Sequence, residues 1–245
     1  KSKKALDKIV QLAQIQKNDL ILEIGPGTGM LTKPLIDNGA QVIAIEKDPR
    51  MEQILLEKIS SHNLQIVIGD IREYYNIFLK NNQEDFKIIA NIPYYLSSFL
   101  IRMIFNESRK PGIIVLMVQK EWAQRISLNR CQNNKLAMFG QLFFDIQYAL
   151  TVDKESFSPA PKIDSAIIKM TLKKEREFEK DFLQKYEKMV NACFMQPRKI
   201  LISNLKNYYS KDINYEEIFA KINIDLKSRP EQVEFSKYME LIKLI

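Results

Sequence analysis

The chain has 245 residues, 46% hydrophobic and 27% charged, enough for one sizeable core and a smaller second domain. Its longest apolar run, "IIVLMV" at 113–118, falls well short of the ~18–20 residues of a membrane span, and its two cysteines, Cys131 and Cys193, are too few for a disulfide framework or zinc cluster. The formal charge of +7 suits either plain solubility or a polyanionic partner that rewards Lys and Arg through counterion release.

In chain order, short β-branched runs alternate with helical spacing. "LILEI" (20–24), "QVIAI" (41–45), "LQIVI" (64–68), "KIIA" (87–90) and "GIIVLMV" (112–118) read as strands, each bounded by Gly, Asp, Asn or Pro. Between them, 29–38, 50–60 and 96–106 carry apolar residues at helical spacing. That alternation predicts an α/β fold with a mostly parallel sheet covered on both faces. "QLFFDIQYALTV" (141–152) and "SAIIKMTL" (165–172), joined by "DKESFSPAPKID" (153–164), are expected to form a terminal antiparallel pair. After Leu172 the chain turns charged and helical in period, so domains are expected at 1–174 and 175–245. The second should hold about four helices, broken at Pro197, Asn207–Lys211 and Asn223–Pro230. The chain opens on Lys1 rather than Met, so the natural start is expected upstream, and a targeting segment there stays open. Cysteine usage points to a reduced, cytoplasmic protein.

"LEIGPGTG" places Gly25, Gly27 and Gly29 directly after the first strand and before a helix. Glycines permit a tight turn and close approach of backbone to a ligand, with free helix N–H groups facing it. Alone, such a loop reads equally as an ordinary turn. Glu46 ends the second strand, where a carboxylate can accept both ribose hydroxyls, and Asp70 ends the third, within reach of an adenine amino group. The G-x-G-x-G spacing departs from the dinucleotide fingerprint, which disfavours NAD. S-adenosylmethionine, an adenosine without a pyrophosphate, fits better, so the expected site is that of a methyltransferase.

Asn91 closes the fourth strand in "NIPYY". The lone pair of an adenine amino nitrogen is delocalised into the ring and nucleophilic only weakly. If the Asn91 side-chain oxygen and the Ile92 carbonyl accept its two N–H bonds, the nitrogen is drawn towards tetrahedral geometry and its lone pair can face an electrophilic methyl. Pro93 fixes the turn. Tyr94 offers a face for an extruded base, and Phe157 in "SFSPAPK" either covers its other face or anchors the hairpin.

"EIGPGTGMLT", "IEKDPR", "GDIREY", "NIPYYLSS" and "FSPAPKIDSAII" resemble, in order and spacing, the ribosomal-RNA adenine N6-dimethyltransferases, from about Asp19 to the end of the chain. The resemblance implies a Rossmann-like S-adenosylmethionine-dependent methyltransferase fold plus a small all-helical C-terminal domain that recognises RNA. It matches Gly25, Glu46, Asp70 and Asn91 to cofactor contacts, puts Ile71 near the adenine, and leaves Gly27, Gly29 and Lys47 to complete the cofactor set, with no metal. Two branches compete: an enzyme that dimethylates two adjacent adenosines near the 3′ end of small-subunit RNA, and a macrolide-resistance enzyme acting on large-subunit RNA. "FMQPRKILISNL" (194–205) and "SRPEQVEFSKYMEL" (228–241), with Arg229 and Glu231 matching, resemble the first branch, although Gln196–Pro197 departs from its usual basic run. The family's Gln-Asn-Phe-Leu stretch, which normally lies just upstream of Lys1 and helps close the cofactor site, is not in this chain, so weakened cofactor binding is expected.

The expected partner is small-subunit ribosomal RNA or an immature small subunit, bound by a monomer without a membrane. Arg125, Arg130, Lys162, Lys169, Arg198, Lys199 and Lys206 are the expected phosphate contacts, each also readable as a solvated surface charge. With ~6 phosphates engaged, affinity should fall about a thousandfold or more between low and moderate salt. Two other readings stay open: an assembly factor whose main task is to sit on an immature subunit, and a small-molecule methyltransferase sharing the cofactor site.

Overall fold

The computed structural model describes residues 3–127, 133–157, 161–174, 178–209 and 213–245. Helix α1 (Lys3–Ala13) precedes strand β1 (Leu20–Ile24). Then α2 (Thr32–Asp37), β2 (Gln41–Glu46), α3 (Arg50–Lys58), β3 (Leu64–Ile68), α4 (Ile71–Asn81), β4 (Phe86–Asn91), α5 (Ser97–Asn106) and β5 (Ile113–Gln119) alternate. They are followed by α6 (Lys120–Ile126), α7 (Lys135–Phe143), β6 (Phe144–Val152) and β7 (Ser165–Leu172). Helices α8 (Lys180–Cys193), α9 (Leu201–Tyr208), α10 (Tyr215–Lys221) and α11 (Phe235–Leu241) complete the chain.

The strands form one seven-stranded sheet in the order β3-β2-β1-β4-β5-β7-β6. β1 to β5 pair in parallel, and β7 runs antiparallel to β5. All five residues of β1 are buried, so this strand is covered on both faces, as its unbroken apolar run requires. After β1 the chain leaves to β2 on one side, and β4 returns on the other. The crevice outside the carboxyl ends of β1 and β4 is therefore the switch point where open α/β sheets bind ligands.

Helix α1 buries Ala5, Ile9 and Ala13, four residues apart, in one apolar cluster with Ile21, Ile89, Val115 and Ile167 from four strands. Lys87 of β4 bonds the carbonyls of Ala13 and Gln14 and pairs with Asp19 at 2.6 Å, placing a cation at the C-terminal end of α1. These contacts hold the strand that ends in Asn91.

Two units emerge, residues 1–124 with 145–172 and residues 125–144 with 173–245, instead of the single cut expected at 174. The difference lies in 125–144. Every residue from Ala137 to Phe143 is buried, and the Tyr186 hydroxyl of α8 donates to the Met138 carbonyl of α7 at 2.8 Å. Residues 141–143, expected as strand, are accordingly the last turn of α7. A helix buried all round has no polar face to mark its period, which is why its apolar run read as strand. Beyond residue 175 the described residues carry four α-helices, in keeping with the expected number.

Candidate active site

Two clefts meet at Gly25. The first is lined by Glu23, Gly25, Gly27, Met30, Asn91 and Phe157, among others; the second by Gly25, Glu46, Lys47, Asp70, Ile71 and Tyr95, among others.

The glycine turn is built for approach. Gly25, Gly27 and Gly29 all have positive φ, which L side chains rarely adopt. No atom lies within 4 Å of where a Cβ on Gly27 would stand, so its backbone faces open space. Gly29 serves packing instead: a Cβ there would meet Ile59 at 2.7 Å and Leu55 at 3.0 Å, and Gly29 lines neither cleft.

Glu46, at the end of β2, is buried and accepts N–H bonds from Gly27 (3.0 Å) and Asp48 (2.9 Å), one on each carboxylate oxygen. A lone pair remains on each for a ligand hydroxyl. Asp70 caps α4 by accepting the Arg72 backbone N–H, and pairs with the Arg72 guanidinium and the Lys47 ammonium. Arg72 holds its carboxyl well below the usual carboxylate range. Ile71, Lys47 and Pro93 lie on the same cleft.

Asn91 ends β4 opposite Met117 of β5, exposed on the first cleft, and its amide has no hydrogen-bond partner among the described residues. Ile92, the next residue, is buried and lines neither cleft. Phe157 lines the same cleft from the loop after β6 and packs against the core cluster that includes Val152. Tyr94 is half-buried, with its hydroxyl 2.8 Å from Ser165 Oγ; Tyr95 is the exposed ring of the pair.

One residue of the first cleft escaped the sequence reading. Glu23 is 1% exposed, and its Oε2 has no hydrogen-bond partner. Burial pushes its carboxyl up to about 8; the nearby Thr32 hydroxyl opposes that rise, and the Glu46 charge adds a smaller one. The available signal was a carboxylate inside the otherwise apolar strand "LILEI".

The expected phosphate contacts divide. Arg198 and Lys199 stand on the fully exposed 195–200 turn, which Asn204 braces through the Cys193 and Gln196 carbonyls. Arg125 and Lys162 are exposed; Lys162 shares an open cleft with Lys120, Lys154 and Asp164. Lys206 is neutralised by Glu216 at 2.7 Å. Lys169 sits in mid-strand opposite Val115, where burial and the Lys87 charge lower its pKa, so it does not join the others. Arg130 lies outside the described residues. Among those residues there is no group of metal-ligating side chains, and no helix is long and apolar enough to cross a membrane.

A parallel sheet ending in an antiparallel turn-back, a glycine turn after β1 and carboxylates ending β2 and β3 define a Rossmann-like methyltransferase. The chain belongs to the family described as ribosomal RNA adenine dimethylase, whose profile matches residues 1–245, and it is an rRNA adenine dimethyltransferase. The ribosomal RNA small subunit methyltransferase A of Chlamydia felis is 33% identical over 245 residues, covering 98% of this chain and 84% of that protein. The protein of the same name from Mycoplasma capricolum is 34% identical over 248 residues, covering 98% and 92%. Among solved structures, the 23S rRNA methyltransferase ErmE has a TM-score of 0.82 at 26% identity, covering 99% of this chain and 97% of that one. A dimethyladenosine transferase from Plasmodium falciparum has a TM-score of 0.79 at 26% identity, covering 98% and 94%.

Proposed function

We propose that this enzyme uses S-adenosylmethionine to dimethylate N6 of two adjacent adenosines near the 3′ end of small-subunit ribosomal RNA. We further propose that it does so as a cytoplasmic monomer acting on an immature small subunit. The observation that carries the reading is the placement of Asn91 on a cleft that shares Gly25 with the Glu46–Asp70 cleft. Glu46 receives the ribose hydroxyls, Asp70 the adenine amino group, and Ile71 packs on the ring. Glu23, buried with an unpartnered oxygen, receives the ammonium of the methionine half. When bound, the cofactor supplies an electrophilic methyl group. The Asn91 side-chain oxygen and the Ile92 carbonyl accept the two N–H bonds of the target adenine, turning its lone pair out of the ring. Phe157 and Tyr94 hold the extruded base between them. Arg125, Lys162, Arg198 and Lys199 contact RNA phosphates.

The choice of RNA rests on the small-subunit names of the relatives, because the two solved neighbours, one a large-subunit enzyme, differ little in TM-score. Mapping dimethyladenosine in RNA from cells with and without the protein tests it. A protein-dependent adjacent pair near the 3′ end of small-subunit RNA is expected. A protein-dependent mark on large-subunit RNA instead would move the chain to the ErmE-like reading.

The Glu23 assignment has its own readout. With its pKa near 8, this carboxyl is mostly protonated at pH 7, and an adjacent ammonium favours the ionised form. Binding of S-adenosylhomocysteine at pH 7 is therefore expected to release about one proton. Calorimetry in buffers of different ionisation enthalpy counts it, and Glu23→Gln should bring the count near zero. The raised pKa also means that folding loses stability as pH rises from about 4.5 to about 8, a slope that the same variant should remove.

A further inference from the structure

The Asp70 carboxylate has no acceptor position left for a ligand. A carboxylate offers about four lone-pair sites. Oδ1 takes the backbone N–H and Nε of Arg72 at 3.0 and 2.9 Å; Oδ2 takes Arg72 Nη2 at 2.5 Å and Lys47 Nζ at 3.2 Å. A nucleoside amino group can reach Asp70 only by taking the place of one of these cations. Lys47 is the easier to displace, because its single contact is the longest and its side chain is 65% exposed. The Arg72 side chain is 50% exposed, while its backbone N–H stays fixed as the helix cap. The charges around the displaced groups are few: Glu73 and the Tyr95 hydroxyl near Arg72, with Glu46 already holding two backbone N–H groups. A cation leaving Asp70 thus enters solvent beside Tyr95, a residue of the same cleft that is 69% exposed.

Building on the proposed reading of this cleft as the adenosine site, we infer that an exchange of partners operates here: Lys47 and Arg72 both hold Asp70 while the site is open, and the one that a nucleoside displaces, Lys47 before Arg72, contacts RNA phosphates. Cofactor and RNA then bind cooperatively, because one ligand frees a cation that the other uses. Lys47, expected from the sequence as a cofactor contact, becomes a competitor for the cofactor's acceptor. Linkage requires the effect to be mutual, so RNA raises nucleoside affinity by the same factor as the nucleoside raises RNA affinity.

The test measures S-adenosylhomocysteine binding with and without a small-subunit RNA fragment, in the wild-type chain and in Lys47→Gln, Arg72→Gln and the double variant. In the wild type, RNA is expected to tighten nucleoside binding about fivefold, the low end of usual coupling. In the double variant the coupling should fall below about twofold, while RNA-free nucleoside affinity rises because competition for Asp70 is gone. A merely structural role would instead weaken nucleoside binding in the absence of RNA. Coupling that is absent from the wild type, or that survives in the double variant, overturns the inference while leaving the site reading intact. A wild-type chain that binds neither ligand overturns the site reading beneath it, and the inference with it.

Discussion

Asn91→Ala is expected to lower methyl transfer to RNA by about a hundredfold to a thousandfold, the range seen when one preorganised polar group is removed from a transition state. The fold should survive. Asn91 is exposed at the end of β4, and its amide holds no other group among the described residues, so truncation leaves no orphaned partner and stability should move by no more than about 0.5 kcal/mol. Nucleoside affinity should change only modestly, because Glu46 and Asp70 lie on the neighbouring cleft. Single-turnover transfer from labelled cofactor, beside a thermal melt and a nucleoside titration, separates the three quantities. Asn91→Asp keeps the accepting oxygen and is expected to fall between wild type and alanine. Equal activity in the wild type and the alanine variant would remove Asn91 from the chemistry.

That placement was legible because strand ends are local. The runs at 20–24 and 64–68 became strands with the expected bounds, and 41–45 and 87–90 each proved slightly longer. The residues that follow a parallel strand at its carboxyl end share one edge of the sheet, so Glu46, Asp70 and Asn91 could be brought together before any coordinates. What escaped was set by packing. Helix α7 is buried along its last seven residues, so the chain showed an apolar run with no period to separate helix from strand. Its pairing with α8 assigned 125–144 to the second unit, a long-range contact that a linear scan for composition shifts cannot see. Gly29 shares the loop's spacing, yet its lack of a side chain answers to Ile59 and Leu55. Lys169 and Lys206 show the limit of counting charges: one is half-buried in mid-strand, and the other is already paired with Glu216. The helices at 3–13 and 71–81 carry ordinary amphipathic patterns. The second is announced by Asp70 itself, whose role as a helix cap explains why its carboxylate stands on the cleft with one oxygen turned to a backbone N–H.

Glu46→Gln is expected to weaken nucleoside binding by about a hundredfold or more and to lower stability by about 1–3 kcal/mol. Both effects have one cause. The carboxylate accepts from Gly27 on one oxygen and from Asp48 on the other, so whichever way a glutamine amide is turned, its NH2 faces a backbone donor. The turn that presents Gly27 then loses a brace, and one of the two acceptors proposed for the ribose hydroxyls is lost with it. A calorimetric titration with S-adenosylhomocysteine and a chemical melt give the two numbers, and normal affinity in a folded Glu46→Gln protein would refute the ribose assignment. The variant also reports on Glu23. The Glu46 charge helps to raise the Glu23 carboxyl, while burial is the larger cause, so removing that charge should lower the Glu23 pKa without restoring it to 4.5. Less of Glu23 is then protonated at pH 7, and the proton released on nucleoside binding should shrink in Glu46→Gln rather than vanish as in Glu23→Gln. The two substitutions separate the acid that binds from the acid that tunes it.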